Sequence, residues 1–424
     1  MKLQEPLIIR AKVVTPLFIG DGESVTPLSY IVEGKRVYVV DVQRFLRALS
    51  PEGQAAYLAW IDPQLNQIAN LETQIDQAYR SKNFDLRREL NRERRDAEGK
   101  LSLDTFVRHH LRIQNVPAFI QATGSVLYDE RWNVNPRNEG FRSFIKTADH
   151  RPYVPGTELK GAWRTALLFM LTGEPAVYAT LENALDAFRS EILRSGRSPR
   201  DKAKQLAHID GKVEEEAFRG KEDDAKYDLL RLLQIGDSDR LSPDVLRVRA
   251  LESVGTQRFT RTFAEALEPE TTFTFRLVMA NTAEMGWALD KLKLREKANA
   301  AISKKKLLEA TYLRSQAILE ADAAYFRHDA QMQREIAQLQ TLNTRESPLL
   351  RLGMGQGFLS TTVDLQVRER DADLYDEAIR EGVSLQRKWR TMRDNFPKTR
   401  RTVSDGRRNP ETVPGWVKLQ IIEG

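Results

Sequence analysis

The chain has 424 residues, with 66 Lys and Arg against 60 Asp and Glu, a formal net charge of +6, and no cysteine. The absence of cysteine excludes disulfides and thiolate metal sites and fits a reducing cytosol. No run approaches the ~20 apolar residues a membrane span needs, and the opening MKLQEPLIIRAKVV lacks an apolar signal core, so a soluble, cytoplasmic chain with no membrane partner is expected. Its length allows two domains plus insertions. The charge surplus implies local basic patches rather than a cationic body. It is concentrated late: Arg380 to Arg408 holds ten Lys or Arg against three Asp or Glu.

Leu7–Val14 alternates Leu7, Ile9, Ala11 and Val13 against its other face, which predicts a strand with one buried side. Ile19–Glu23, with Gly20 and Gly22, reads as a loop. Tyr30–Val32 and Arg36–Val40 flank Glu33-Gly34-Lys35 as a hairpin, and Asp41 is an N-cap for a helix through Leu49. From about 55 to 111 the character changes. Ile68, Leu71, Ile75 and Tyr79 repeat at helical spacing and a mixed-charge stretch follows, which predicts a helical insertion, a solvated, salt-bridged pair. Val116–Tyr128 returns to strand character, and 130–149 is polar, a long loop or projecting hairpin.

After the segment 153–169, considered next, Leu181–Leu193 and most of Ala203–Leu233 read as helix. Val245–Gly255 and Thr271–Ala280 read as strands of a second sheet. Ala283–Arg345 is a long helical segment with Met332, Ile336 and Leu339 at core spacing. Thr361–Val367 reads as a strand. Leu385, Trp389, Met392 and Phe396 line a helix face flanked by Arg387, Lys388, Arg390 and Arg393, and Trp416–Ile422 is a final strand.

Two stretches point to chemistry. Tyr153–Phe169, YVPGTELKGAWRTALLF, reads as a strand end, a Pro-Gly turn and a helix whose apolar stripe is Leu159, Ala162, Trp163, Ala166 and Leu167. Thr157 is a candidate N-cap. Lys160 and Arg164, four apart, sit together beside the stripe. Two cations near open backbone N–H groups make a phosphate site; the plain alternative is a solvated helix flank. Arg351–Thr361, RLGMGQGFLST, places Gly353, Gly355 and Gly357 where a backbone can pass close to a ligand. It matches neither a Walker loop nor a dinucleotide fingerprint, and its plain alternative is a tight turn. Lys398, Arg400 and Arg401 add late positive charge. Trp132, Phe141 and Phe144 are candidates for stacking on bases, or for packing against their own sheet.

Catalytic signals are weak. His109, His110, His150, His208 and His328 show no metal-ligand spacing. There is no Gly-x-Ser-x-Gly elbow and no thiol. His150 is the one histidine placed to serve as a base, and Asp21 sits between Gly20 and Gly22; a surface histidine and a turn aspartate are the simpler readings. No catalytic residue, metal or cofactor is expected.

Together the motifs resemble the RAMP superfamily of CRISPR proteins. PGTELKGAWRTAL is similar to its P-G-[ST]-x-[LI]-K-G-x-x-R-x-A-L helix and RLGMGQGFLSTTV to its glycine-rich loop. TPLFIGDGESVTPLSYIV (15–32) is similar to its opening, RLLQIGDSDRLSP (231–243) to its L-x-V-S-D-S strand, and FPKTRR (396–401) with GWVKL (415–419) to its close. The matches run in order from about residue 7 to 419. Within the superfamily they most resemble the fifth-subunit family of type III-A (Csm) effector complexes.

The resemblance implies an α+β fold of two ferredoxin-like regions. The first would be 1–195 with a helical insertion at about 55–111. The second would be 196–424, with an insertion at about 283–345 and the glycine loop at 351–361. It implies a non-catalytic subunit that binds CRISPR RNA and caps the 3′-end side of the complex. Target RNA, sibling RAMP subunits, small helical subunits and host nucleases active in CRISPR-RNA maturation are its implied partners. Lys160, Arg164, Gly353, Gly355, Gly357, Lys398, Arg400 and Arg401 are the implied RNA contacts. The alternatives are a RAMP-family RNA endonuclease using His150 or Asp21, and a helical scaffold that binds no RNA.

Overall fold

The structure, a computed structural model, describes residues 3–136, 139–220, 224–255, 260–384, 397–407 and 409–422. The expected helix face at Leu385, Trp389, Met392 and Phe396, with its flanking cations, lies outside these residues.

Fourteen strands occur among the described residues. They are β1 (Leu7–Val13), β2 (Gly20–Val25), β3 (Tyr30–Glu33), β4 (Arg36–Val40), β5 (Val126–Trp132), β6 (Phe141–Phe144), β7 (Leu233–Ile235), β8 (Leu246–Val254), β9 (Arg261–Leu267), β10 (Thr272–Met279), β11 (Leu349–Arg351), β12 (Arg400–Ser404), β13 (Pro410–Thr412) and β14 (Trp416–Ile422). One sheet has the order β11-β14-β1-β10-β7 and is antiparallel throughout. The alternation in β1 works as read: Ile9, Ala11 and Val13 are buried and Arg10 is exposed. Within this sheet β14-β1-β10-β7 has the split βαβ arrangement of a ferredoxin-like unit, with the Gly156–Thr172 helix between β1 and β7 and the Lys304–Tyr325 helix between β10 and β11. Both helices bury apolar faces in the core they share with this sheet. Trp163 meets Phe275 at 5.7 Å, and its Nε1–H donates to Thr311 Oγ1 at 3.0 Å.

The other sheet has nine strands. Its path is β2-β6-β9-β8-β5-β4-β3, with β12 paired to β8 and β13. Both sheets draw strands from both sides of residue 195, so the expected division into 1–195 and 196–424 does not separate them.

Several local expectations hold. The β3–β4 hairpin turns at Gly34 with positive φ, and Asp41 Oδ1 accepts from the Arg44 N–H at 3.0 Å. The first insertion is a helix pair, Pro51–Arg80 and Phe84–Lys100, zipped by Leu71, Ala78, Leu90 and Ala97. Tyr79 lies 60% exposed, because Ala78 takes the inner position.

Other segments differ. Val116–Ala122 is helical rather than extended: Asn115 Oδ1 accepts from the Ala118 N–H at 3.2 Å, and Pro117 stands in the first turn. Most of Ile19–Glu23, read as a loop, belongs to β2, which pairs with β6. The expected strand Thr361–Val367 runs instead into a helix, Asp364–Arg370; it buries Asp364, Leu365 and Val367 together, which a strand with its period of two would split between faces. The Lys304–Tyr325 helix is a covering helix of the ferredoxin-like unit, with ten of its residues buried.

Candidate nucleic-acid interface

Two segments frame the site. The Gly156–Thr172 helix begins right after Pro155, so Thr157 lies in the first turn instead of capping it. Gly156 is required by packing, because a Cβ there would stand 2.5 Å from the Ile235 carbonyl. The Gly156 N–H donates to Asp237 Oδ1 at 2.7 Å. A carboxylate of the chain itself therefore occupies the position where the sequence suggested phosphate.

The two cations of this helix are engaged as well. Lys160 Nζ donates to the Leu233 carbonyl at 2.9 Å, and burial holds its pKa below the ordinary lysine value. Arg164 pairs with Glu214 at 2.5 Å and with Asp228 at 3.4 Å, its guanidinium 4.7 Å from the centre of the Phe218 ring. Neither lines the cleft beneath the glycine bend. The expected arrangement, two open cations over that bend, is thus corrected: they tie the helix to Pro199–Phe218 and to β7.

The bend does meet the helix. Gly353, Gly355 and Gly357 all have positive φ. At Gly353 a side chain would collide with the Phe18 carbonyl, and the Gly353 N–H donates to Glu158 Oε1 at 2.7 Å. Gly357 faces open space.

Arg400 is a buried strut. Asp322 receives Arg400 Nε at 2.8 Å and Arg351 Nη1 at 3.1 Å; Arg351 also donates to Ser360 Oγ and the Pro414 carbonyl. This triad joins β11, β12 and the Lys304–Tyr325 helix, and Arg400 is only 8% exposed. Arg401 reaches Thr260 Oγ1 at 3.4 Å from a half-exposed position.

Lys398 belongs to a larger basic hollow of about 580 Å³, whose lining among the described residues includes Arg327, His328, Arg368 and Tyr325 and no carboxylate. Sequence reading missed Arg327 and Arg368. Along the Lys304–Tyr325 helix, Arg314, Ser315 and Ile318 border the cleft under the bend, and Ala321 and Tyr325 border the hollow. From 314 to 325 the helix rises about 16 Å, so bend, cleft and hollow follow one face.

The aromatic candidates divide. Phe141 and Phe144 are core residues at 1% and 0% exposure. Trp132 is half-buried and borders a smaller hollow with Lys35, Arg131 and Arg247; its Nε1–H donates to the Gly34 carbonyl at 3.1 Å. His150, in a positive-φ turn, lies 5.6 Å from the Tyr128 ring, and Asp21 Oδ1 accepts from the Glu23 N–H at 2.8 Å. Tyr128 and Lys146 both engage buried Glu265, and beside it burial holds Glu130 well above the usual carboxylate range. That cluster is inside the nine-stranded sheet, closed to a polymer substrate. Among the described residues no group of three or more His, Asp or Glu is arranged to hold a metal, and no helix is long and apolar enough to cross a membrane.

The sequence model of the RAMP superfamily matches residues 10–321. No curated protein sequence matches the chain. Among solved structures, a chain in the cryo-EM structure of a Csm-crRNA-target RNA ternary complex of a type III-A CRISPR-Cas system is similar at 20% identity and TM-score 0.61, covering 98% of this chain and 100% of that one. The crystal structure of T. onnurineus Csm5 is similar at 19% identity and TM-score 0.56, covering 96% and 99%.

Proposed function

This chain belongs to the RAMP superfamily, and on that premise we propose that it is a CRISPR-RNA-binding subunit of a type III-A (Csm) effector complex, placed at the 3′-end side of the RNA. In this reading it is non-catalytic. It caps the stack of sibling subunits beside target RNA and assists maturation by leaving the RNA tail open to host nucleases. Full-length likeness of fold to a chain of a Csm-crRNA-target RNA complex supports the assignment.

The observation that carries RNA binding is the basic hollow, lined by Arg327, Arg368 and Lys398, in line with the glycine bend. A strand would run from Gly357 along the Lys304–Tyr325 helix to Arg327, Arg368 and Lys398, with Arg401 at its margin. Such contact is made to phosphates and is largely independent of sequence. Lys160 and Arg164 then serve the site by fixing the helix, and Arg400 by fixing the floor.

The test is single-stranded RNA affinity measured across a salt series. Arg327→Ala with Arg368→Ala should weaken binding and lower the salt slope by up to about two units. An unchanged isotherm would remove the hollow from the interface. Cleavage of precursor RNA by the purified protein, abolished by His150→Ala or Asp21→Ala, would overturn the non-catalytic assignment.

A further inference from the structure

Beneath the glycine bend a cleft of about 260 Å³ opens between the Gly156–Thr172 and Lys304–Tyr325 helices. One wall is Thr157, Gly161 and Thr165, spaced four apart so that they share a helix face. Gly161 is mid-helix, where glycine is less stable than alanine. A Cβ there would meet nothing within 4 Å. Neither packing nor backbone conformation calls for glycine, and what the missing side chain leaves is room in the cleft.

The other wall holds Arg314, 4% exposed. Its Nη2 donates a long bond, 3.5 Å, to the Leu359 carbonyl, and its guanidinium carbon is 5.6 Å from the centre of the Phe169 ring. Its Nη1 has no hydrogen-bond partner among the described residues. Burial draws the Arg314 pKa down to about 9, against the opposing field of Asp364, so the group is still cationic at neutral pH. A buried cation with an unmet donor is costly unless an anion completes it. Glu158, the one carboxylate among the described residues of the lining, accepts the Gly353 N–H at Oε1.

We propose that this cleft receives a phosphomonoester, with Arg314 Nη1 as its principal donor and the Thr157 hydroxyl and Gln356 amide at its rim. Ala166, Ile318 and Leu350 close the inner side. An internal phosphodiester must leave in two directions, whereas a terminal phosphate needs room in only one, which suits a cleft of about 260 Å³. The RNA end as source rests on the RNA-binding reading above; a free mononucleotide offers the same chemistry.

The experiment compares one single-stranded RNA, phosphorylated at its 3′ end, at its 5′ end or at neither, binding to the full chain. Adenosine 3′-monophosphate is the small probe. A phosphorylated end should bind about tenfold tighter, the worth of one charge-assisted bond. Arg314→Gln should abolish that preference. Because Arg314 is buried, Gly161→Leu provides the second variant: it fills the cleft without changing a charge, should keep the thermal midpoint, and should lose the same preference. Mononucleotide binding that Gly161→Leu removes, without end preference in RNA, supports the cleft and assigns it to free nucleotide. Equal affinity for all three oligonucleotides and no mononucleotide binding overturns the inference while RNA binding stands. If no oligonucleotide binds at any salt, the RNA-binding reading fails, and the mononucleotide arm alone decides the cleft.

Discussion

Glu158 Oε1 accepts the Gly353 N–H at 2.7 Å, across 195 residues of chain. This bond latches the glycine bend to the first turn of the Gly156–Thr172 helix and sets the mouth of the cleft. Replacing Glu158 by Ala leaves a part-buried N–H unpaired, at a cost of about 1–3 kcal/mol. Amide exchange at Gly353 and Met354 should accelerate more than in the core strands. Unchanged protection there would mean that the Phe18 carbonyl, which accepts from the Met354 N–H at 2.7 Å, holds the bend alone.

Asp322 neutralises Arg351 and Arg400 together, and all three are buried. Asp322→Asn should cost about 3–5 kcal/mol, because it strands two buried cations. Arg401→Ala, one position along from Arg400 but half-exposed, should shift the thermal midpoint little. Equal losses from both substitutions would contradict the strut assignment.

Lys160→Ala with Arg164→Ala should act on stability more than on RNA. Arg164 is partly exposed and its partner Asp228 keeps Arg219 at 3.1 Å, so the expected loss is about 1 kcal/mol. The RNA salt slope should stay at its parental value. A slope reduced by one or two units would restore these two residues to the interface.

Burial pushes the Asp364 carboxyl up to about 7 and the Asp210 carboxyl up to about 6, with neighbouring acids adding to both. In the folded chain both groups hold protons that the unfolded chain has released. Their favourable contribution is complete below the ordinary aspartate value of 3.8 and disappears as pH rises through about 7. For Asp364 the loss is no more than about 4 kcal/mol. Denaturant titrations between pH 4 and 8 should show that slope, and Asp364→Asn should flatten it. Stability that rises over the same interval would refute the assignment.

The strands of the ferredoxin-like unit were legible because their alternation is strong, as in Ile9, Ala11 and Val13. The glycine bend was legible because three glycines in alternation have few other uses. Sequence alone could not show the direction of Lys160 and Arg164. Their partners Leu233, Glu214 and Asp228 are 50 to 73 residues away, and a cation flanking an apolar stripe looks the same whether it faces solvent or a distant carboxylate. Arg314 did leave a mark, a charge among Leu307, Ala310, Thr311 and Ile318 on a stripe whose other buried charge is Asp322. Its meaning depended on which helix lay opposite. Arg327 and Arg368 gather only through folding and left no local pattern.

The pairing of β1 with β14 joins Ile9 to Ile421 and Ala11 to Leu419, and the Trp416 N–H donates to Thr15 Oγ1 from 401 residues away. During synthesis, therefore, the earliest strand waits beside β10 with one ladder of hydrogen bonds unfilled until Trp416–Ile422 clears the ribosome. Such an edge invites pairing with other nascent chains, so translation that stalls before Trp416 should yield aggregates instead of a shortened, working protein.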